Sequence, residues 1–111
     1  MKKFKFDYKG KKVELEVQEC KSVWSQIRGL MFRRKSKPLL FIFNDKKKRA
    51  IHSFFCVEFV AVWFNGDKIV DVKIVKPWKV SIKPLEKFNK LLEIPKNSKE
   101  FAIFVDDERK V

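Results

Sequence analysis

Glycine is scarce in this sequence, with three in 111 residues, and histidine scarcer still, with one. Three glycines cannot furnish a Gly-rich phosphate loop or a nucleophile elbow, because both need glycine where the backbone turns sharply or approaches a ligand closely. Cysteine is limited to Cys20 and Cys56. That spacing lacks the close pairs of a structural zinc site and the density of a disulfide framework, so both are expected as reduced, small, buried apolar residues, with a single disulfide between them as the alternative. No cofactor or metal is expected. Long hydrophobic runs are also missing: the longest uncharged stretches, Ala50 to Val57 and Phe59 to Gly66, are far too short to span a bilayer. The N-terminal Met1-Lys2-Lys3-Phe4-Lys5 interleaves charge with apolar residues and so lacks the apolar stretch of a secretory signal. A cytoplasmic protein without a membrane partner is the expectation.

Positive charge, by contrast, is abundant. Twenty-seven Lys and Arg against fourteen Asp and Glu give a formal charge of +13 and a pI near 9.9, which draws anionic partners from a distance. Residues 1 to 50 hold sixteen basic and five acidic residues, whereas 51 to 111 hold eleven and nine. A polyanion is therefore expected to meet the N-terminal half first. Charged residues make up 37% of the chain, Lys far outnumbers Arg and Gln occurs only at positions 18 and 26, a composition like that of proteins from hot environments. With 45% hydrophobic residues and twelve Phe, residues 1 to 111 have the size and apolar content of one domain.

Phe4, Phe6 and Tyr8 alternate with charged residues, as do Val13, Leu15 and Val17, which predicts an opening hairpin over 3 to 18 turning at Gly10. From Cys20 the period lengthens: Val23, Trp24 and Ile27, with Ser22 as N-cap and Gly29 as C-terminal residue, predict a short helix over 22 to 28. Pro38 opens the apolar run Leu39 to Phe43, a buried strand ending in a polar loop from Asn44 to Arg49. Phe59 to Phe64, the Asn65-Gly66 turn signal and Lys68 to Val75 predict a second hairpin. Pro77 and Pro84 make the stretch around Val80 and Ile82 extended or looped. Leu85, Phe88, Leu91 and Leu92 fit a helix, while Leu92 and Ile94 before Pro95 fit a strand end. Glu100 to Val105 reads as a last strand with Phe101, Ile103 and Val105 on one face, and Asp106 to Val111 as a charged tail. The fold class is mainly β: a small barrel-like or sandwich domain of about seven short strands with one short helix.

His52 is the default candidate acid, base or ligand, being the sole side chain whose unperturbed pKa lies near neutrality, but no paired carboxylate or Ser stands beside it in the sequence, and a packed or capping histidine beside Ile51 and Phe54 is the favoured reading. Four residues separate it from Cys56, which places both on one face of a strand, and Cys20 could complete a set of soft ligands. Arg33, Arg34, Lys35 and Lys37, with Arg28 before them, lie on one side of the predicted strand 39 to 43, and Lys46, Lys47, Lys48 and Arg49 on the other. Each group can neutralise phosphates, with Trp24 or Trp78 as stacking platforms for unpaired bases. A solvated charged surface is the alternative. Trp78, between Pro77 and Lys79 in an expected loop, is the one tryptophan that alternation does not assign to a core.

The succession Arg28-Gly29-Leu30-Met31-Phe32-Arg33, Leu39 to Phe43, Ile51-His52-Ser53-Phe54, the strand to Phe64, Gly66-Asp67-Lys68-Ile69-Val70 and Leu91-Leu92-Glu93-Ile94-Pro95 resembles the family called domain of unknown function 192. The resemblance implies a compact, β-rich, barrel-like fold with no established activity, and it favours a strand for Leu91 to Ile94. Members of that family carry a Met near the position of Cys56, a Pro near Phe59 and an Asp near Ala61, so this sequence departs from the pattern there. Three functions are open: a non-enzymatic module binding nucleic acid or another polyanion; a small-molecule enzyme or ligand carrier centred on His52 with Arg28 or Arg33 as anion clamp; and a structural or partner-binding domain.

Overall fold

The computed structural model describes residues 2–20, 37–47, 58–79 and 81–108. The alternating residues at the start form strand β1 (Lys2–Tyr8) and strand β2 (Lys11–Cys20), paired antiparallel. Their turn is Lys9-Gly10 with φ of +49° and +79°, two successive left-handed residues whose twist matches that of the flanking strands. Strand β3 (Leu39–Lys47) runs parallel to β2. It carries the strand conformation through Asn44 to Lys47, where a polar loop is expected from the sequence. Its partner on the other side, β6, continues to Phe88, which pairs with Lys47, so the polar end of β3 is held by ladder hydrogen bonds despite its composition.

Strands β4 (Phe59–Asn65) and β5 (Lys68–Val75) make the second hairpin. The two turn residues are Gly66 and Asp67, one position later than Asn65-Gly66. Only Gly66 has positive φ, at +64°, as in turns with glycine first, and its N–H donates to Asn89 Oδ1 at 2.9 Å. A Cβ at Gly66 would meet open space, so Gly66→Ala strains only the backbone. It is expected to cost about 1–2 kcal/mol in a denaturant melt, with Gly66→Asn nearer the parent.

Strand β6 (Phe88–Pro95) resolves the ambiguous segment as strand. It lies between β3 and β4, giving one sheet of order β1-β2-β3-β6-β4-β5. The described residues thus hold six strands rather than seven, because the expected last strand is instead helix α1 (Phe101–Glu108). Phe101 and Phe104, three apart, are buried, while Ile103 is 43% exposed. That is helical spacing, and it places Ile103 away from the core that a strand would have sent it into. The helix incorporates Asp106 to Glu108, which the alternation pattern assigns to a tail. Three acids in a last turn oppose the helix dipole, so burial of the two phenylalanines is what holds α1 in place. The expected helix over 22 to 28 lies outside the described residues, as does Val80.

The sheet curls into a half-barrel whose edge strands β1 and β5 approach each other. The Phe4 and Phe6 rings meet Phe64 edge-on, at centroid distances of 5.3 and 5.2 Å. Inside the curl, Phe6, Tyr8, Leu15, Val17, Leu40, Val60, Val62, Leu92 and Ile94 form the core that α1 closes, with Phe104 against Phe6 and Tyr8. The convex face is also apolar. Leu39, Phe41, Phe59, Ala61, Trp63, Phe88 and Leu91 form a second buried cluster with Cys20, so β4 is buried on both faces.

Candidate functional site

The two faces of the central strands carry different chemistry. Leu92 and Ile94 enter the inner core, so Glu93 between them projects to the convex side. There it is only 7% exposed, in line across the sheet with Leu39 on β3 and Ala61 on β4. Among the described residues no cation or hydrogen-bond donor faces its carboxyl group. Burial alone pushes its pKa up to about 8, because a carboxylate deprived of water without compensation is disfavoured against the neutral acid. The Nε1 of fully buried Trp63, on the same face two residues along β4 from Ala61, has no hydrogen-bond partner among the described residues. Two uncompensated polar groups therefore stand diagonally across one strand pair, within the reach of long side chains.

A register shift aims β5 at the same face. Trp63 pairs with Asp71 and Phe64 with Ile69, which leaves Val70 as the extra residue. Such a bulge re-aims the side chains beyond it, and Asp71 and Lys73 follow Trp63 and Ala61 onto the convex side. Lys73 Nζ lies 6.0 Å from the Trp63 ring centroid and 3.7 Å from Asp71 Oδ2.

These two residues anchor the segment that follows β5. Lys73 Nζ donates to the Lys83 carbonyl oxygen at 2.6 Å, and the Leu85 N–H donates to Asp71 Oδ2 at 3.0 Å. Pro84 is buried and Ile82 packs on the convex cluster, so residues 82–85 lie back along β5. Between strand and return, Pro77 and Trp78 form the bend. Trp78 has φ of +66° and is 60% exposed, and Leu85 is 70% exposed. Lys76, Lys79, Lys83 and Lys87 are exposed around this loop, although Lys76 Nζ also reaches Glu58 Oε2 at 3.4 Å.

Of the residues singled out by sequence, Arg28, Arg33, Arg34, Lys35, Lys48, Arg49, His52 and Cys56 lie outside the described residues. Lys37 is exposed and sits 3.3 Å from Glu16 Oε1, a pair that solvent screens heavily. Lys46 and Lys47 end β3, so Lys37 and this pair stand at opposite ends of one strand, as their sequence positions imply. Cys20 is a buried thiol whose Sγ donates to the Gln18 carbonyl oxygen at 3.9 Å. Trp78 is exposed on a loop, as its prolyl neighbour implies. Sequence reasoning missed Glu93, although a lone acid between Leu92 and Ile94 in an apolar run is a visible mark of a buried charge. Among the described residues no group of His, Cys, Asp and Glu gathers as a metal site, and no helix is long and apolar enough to cross a membrane.

Residues 4–110 match the model of the domain of unknown function 192 family, described as an uncharacterized ACR. The chain belongs to this family. A curated relative, the UPF0127 protein PF1050 of Pyrococcus furiosus, is 32% identical over 75 residues, which are 64% of this chain and 65% of that protein. The match thus spans less than two thirds of the relative's length. Two solved structures share the fold. One is a Sinorhizobium meliloti 1021 protein provisionally named a transcription regulator, with a TM-score of 0.71 and 18% identity over 82% of this chain and 76% of that one. The other is a Novosphingobium aromaticivorans DSM 12444 protein of unknown function, with a TM-score of 0.70 and 15% identity over 84% of this chain and 71% of that one. At such identities the likeness is one of fold alone. Where relatives in the family carry an Asp near Ala61, the register adds a point: that position stands directly across the sheet from Glu93.

Proposed function

We propose that this chain is a non-enzymatic module that binds a polyanion, with nucleic acid as the ligand class. The observation that carries this reading is the excess of twenty-seven Lys and Arg over fourteen Asp and Glu. On the opening hairpin, Lys2 pairs with Glu19 and both Lys3 and Lys5 with Glu14, at 2.9 to 3.6 Å, so much of that charge is answered within the fold. Residues 68–90 hold seven lysines, of which Lys73, Lys76 and Lys90 reach Asp71, Glu58 and Asp67 at 3.4 to 3.9 Å. Among the described residues no ion pair engages Lys83 or Lys87. The resulting positive surface follows a loop pinned at two points, which lowers the ordering cost of binding.

Neutralising phosphates releases counterions, so the affinity for mixed-sequence single-stranded RNA is expected to fall steeply as salt rises. The triple variant Lys79→Glu/Lys83→Glu/Lys87→Glu is expected to flatten the log–log slope by about 2, at roughly 0.7 for each phosphate no longer neutralised. Arg33→Ala/Arg34→Ala, measured in parallel, reports the share borne by the N-terminal half. Absence of binding by the parent protein at low salt would sink the proposal.

A second reading, a small-molecule carrier, draws on Glu93 and the Trp63 indole, since buried polar groups without partners are common where a ligand supplies them. Native mass spectrometry of the purified protein checks it. A retained small molecule that Glu93→Leu releases supports the carrier, and an apo mass for the parent counts against it.

A further inference from the structure

The convex face of the central strands is lined by apolar side chains, Leu39 and Phe41 on β3, Leu91 on β6 and Phe59 on β4. Two polar groups stand among them. Glu93 is 7% exposed and Trp63 fully buried, and among the described residues neither the carboxyl group nor the indole Nε1 has a hydrogen-bond partner. Directly across from Glu93 is Ala61, whose methyl group reaches least far from the sheet of any side chain in the cluster. Trp63 follows two residues along β4, a diagonal of about 7–8 Å between backbone positions. A small group seated between the two side chains can touch both.

Their donors and acceptors specify what would satisfy them. Burial keeps the Glu93 carboxyl group protonated up to about pH 8. In that state it offers one O–H donor and one carbonyl acceptor, and the indole offers one N–H donor. The complement is two acceptor lone pairs and one donor. A carboxamide supplies them in one plane: its N–H donates to the Glu93 carbonyl oxygen, and its own oxygen accepts from the Glu93 O–H and from Trp63 Nε1. A cation would leave the indole donor unanswered and add its charge near Lys73 Nζ, which lies 6.0 Å from the Trp63 ring centroid. An anion would find that ammonium group already engaged by the Lys83 carbonyl oxygen and Asp71 Oδ2. A few convergent polar groups in an apolar setting are the usual makings of a small-molecule site.

Resting on the carrier reading above, we propose that the convex face binds a small uncharged molecule through a carboxamide group, open-chain or within a ring, held between Glu93 and the Trp63 indole. Three rings of similar size test this by titration into 15N-labelled protein below neutral pH. ε-Caprolactam carries the amide, cycloheptanone an acceptor alone and azepane a cation. The Trp63 Nε1–H signal, assigned through Trp63→Phe, is expected to move downfield with caprolactam, and cycloheptanone is expected to bind roughly 10-fold more weakly. Glu93→Leu suits the apolar surroundings and is expected to weaken caprolactam by roughly 10-fold, whereas Glu93→Gln, which keeps a donor and an acceptor, stays within about 3-fold of the parent. Equal affinity for the three rings, or a lactam affinity that Glu93→Leu leaves unchanged, would overturn the proposal. Azepane binding best, and lost in Glu93→Gln, would mark a cation site and overturn it too. No response to any ring is the result for a site filled by water alone, and it also overturns the proposal. The two readings fail separately: a molecule retained in the native mass spectrum beside an indole signal unmoved by the lactam keeps the carrier and removes the carboxamide, whereas an apo mass with no response to any ring removes both.

Discussion

Raising the pH from 5 to 9 is expected to cost the folded protein on the order of 4 kcal/mol through Glu93 alone. In the native state its carboxyl group keeps its proton up to about pH 8, and in the unfolded chain only up to about 4.5. Between those values the native state holds one proton more than the unfolded state, so stability falls as pH rises across that window and is level on either side of it. Each unit of difference corresponds to about 1.4 kcal/mol. Glu93→Gln keeps the shape and neutrality of the protonated acid and cannot ionise. The variant is expected to match the parent near pH 5 and exceed it above pH 8, in urea denaturation run at both ends. Lys73 and Asp71 border the convex face and are common to both proteins, so the comparison isolates position 93. Parallel stability curves for parent and variant would show that the native carboxyl group finds compensation after all.

The second large effect lies at the opposite face. Phe104 is fully buried, stacks on Phe6 at 6.1 Å and meets Tyr8 at 4.6 Å, and it is a principal attachment of α1 to the sheet. Phe104→Ala is expected to cost about 3–5 kcal/mol, as other buried phenylalanine truncations do. Ile103→Ala, one residue away, is expected to change stability by less than about 0.5 kcal/mol, because its side chain is substantially solvated. A strand over 100 to 105 would reverse that ranking, with Ile103 inside and Phe104 outside. Guanidinium melts of the two variants therefore separate the two structures directly.

That same segment shows where the sequence could be read and where it could not. The hairpins were legible because alternation of apolar and charged residues, closed by glycine, has one inexpensive geometric solution. Phe101, Ile103 and Val105 offer an equally good alternation, and their β-branched members favour strand. What defeats it is that β6 already fills the place between β3 and β4, while Phe101 and Phe104 find a cavity inside the curl. Tertiary burial decided the matter, and burial is not local in sequence. Leu91 to Ile94 went the other way: periodicity permitted helix or strand, and the family resemblance favoured strand. The barrel-like class was visible, but not the closing helix. At the candidate site, Trp78 stood out because a large aromatic residue between Pro77 and Lys79 has no alternating partners. The convex face stayed hidden for a different reason. Glu93, Trp63, Asp71 and Lys73 come together only through the β4–β6 register and the single-residue shift at Val70, and neither leaves a local mark on the residues.

The position of β6 also governs when this chain can fold. Its last strand in sequence is a central strand in space, so during synthesis the hairpin of residues 2 to 20 and that of 59 to 75 emerge and pair internally long before the strand that unites them exists. Until residue 95 has left the ribosome, the ladder edges of β3 and β4 remain unpaired, and both are apolar. The nascent chain thus passes through a stage with two preformed halves and sticky edges between them. The excess of sixteen basic over five acidic residues in residues 1 to 50, whatever it binds later, would then act first as mutual repulsion between neighbouring nascent chains, and a high positive charge becomes a protection against premature strand exchange.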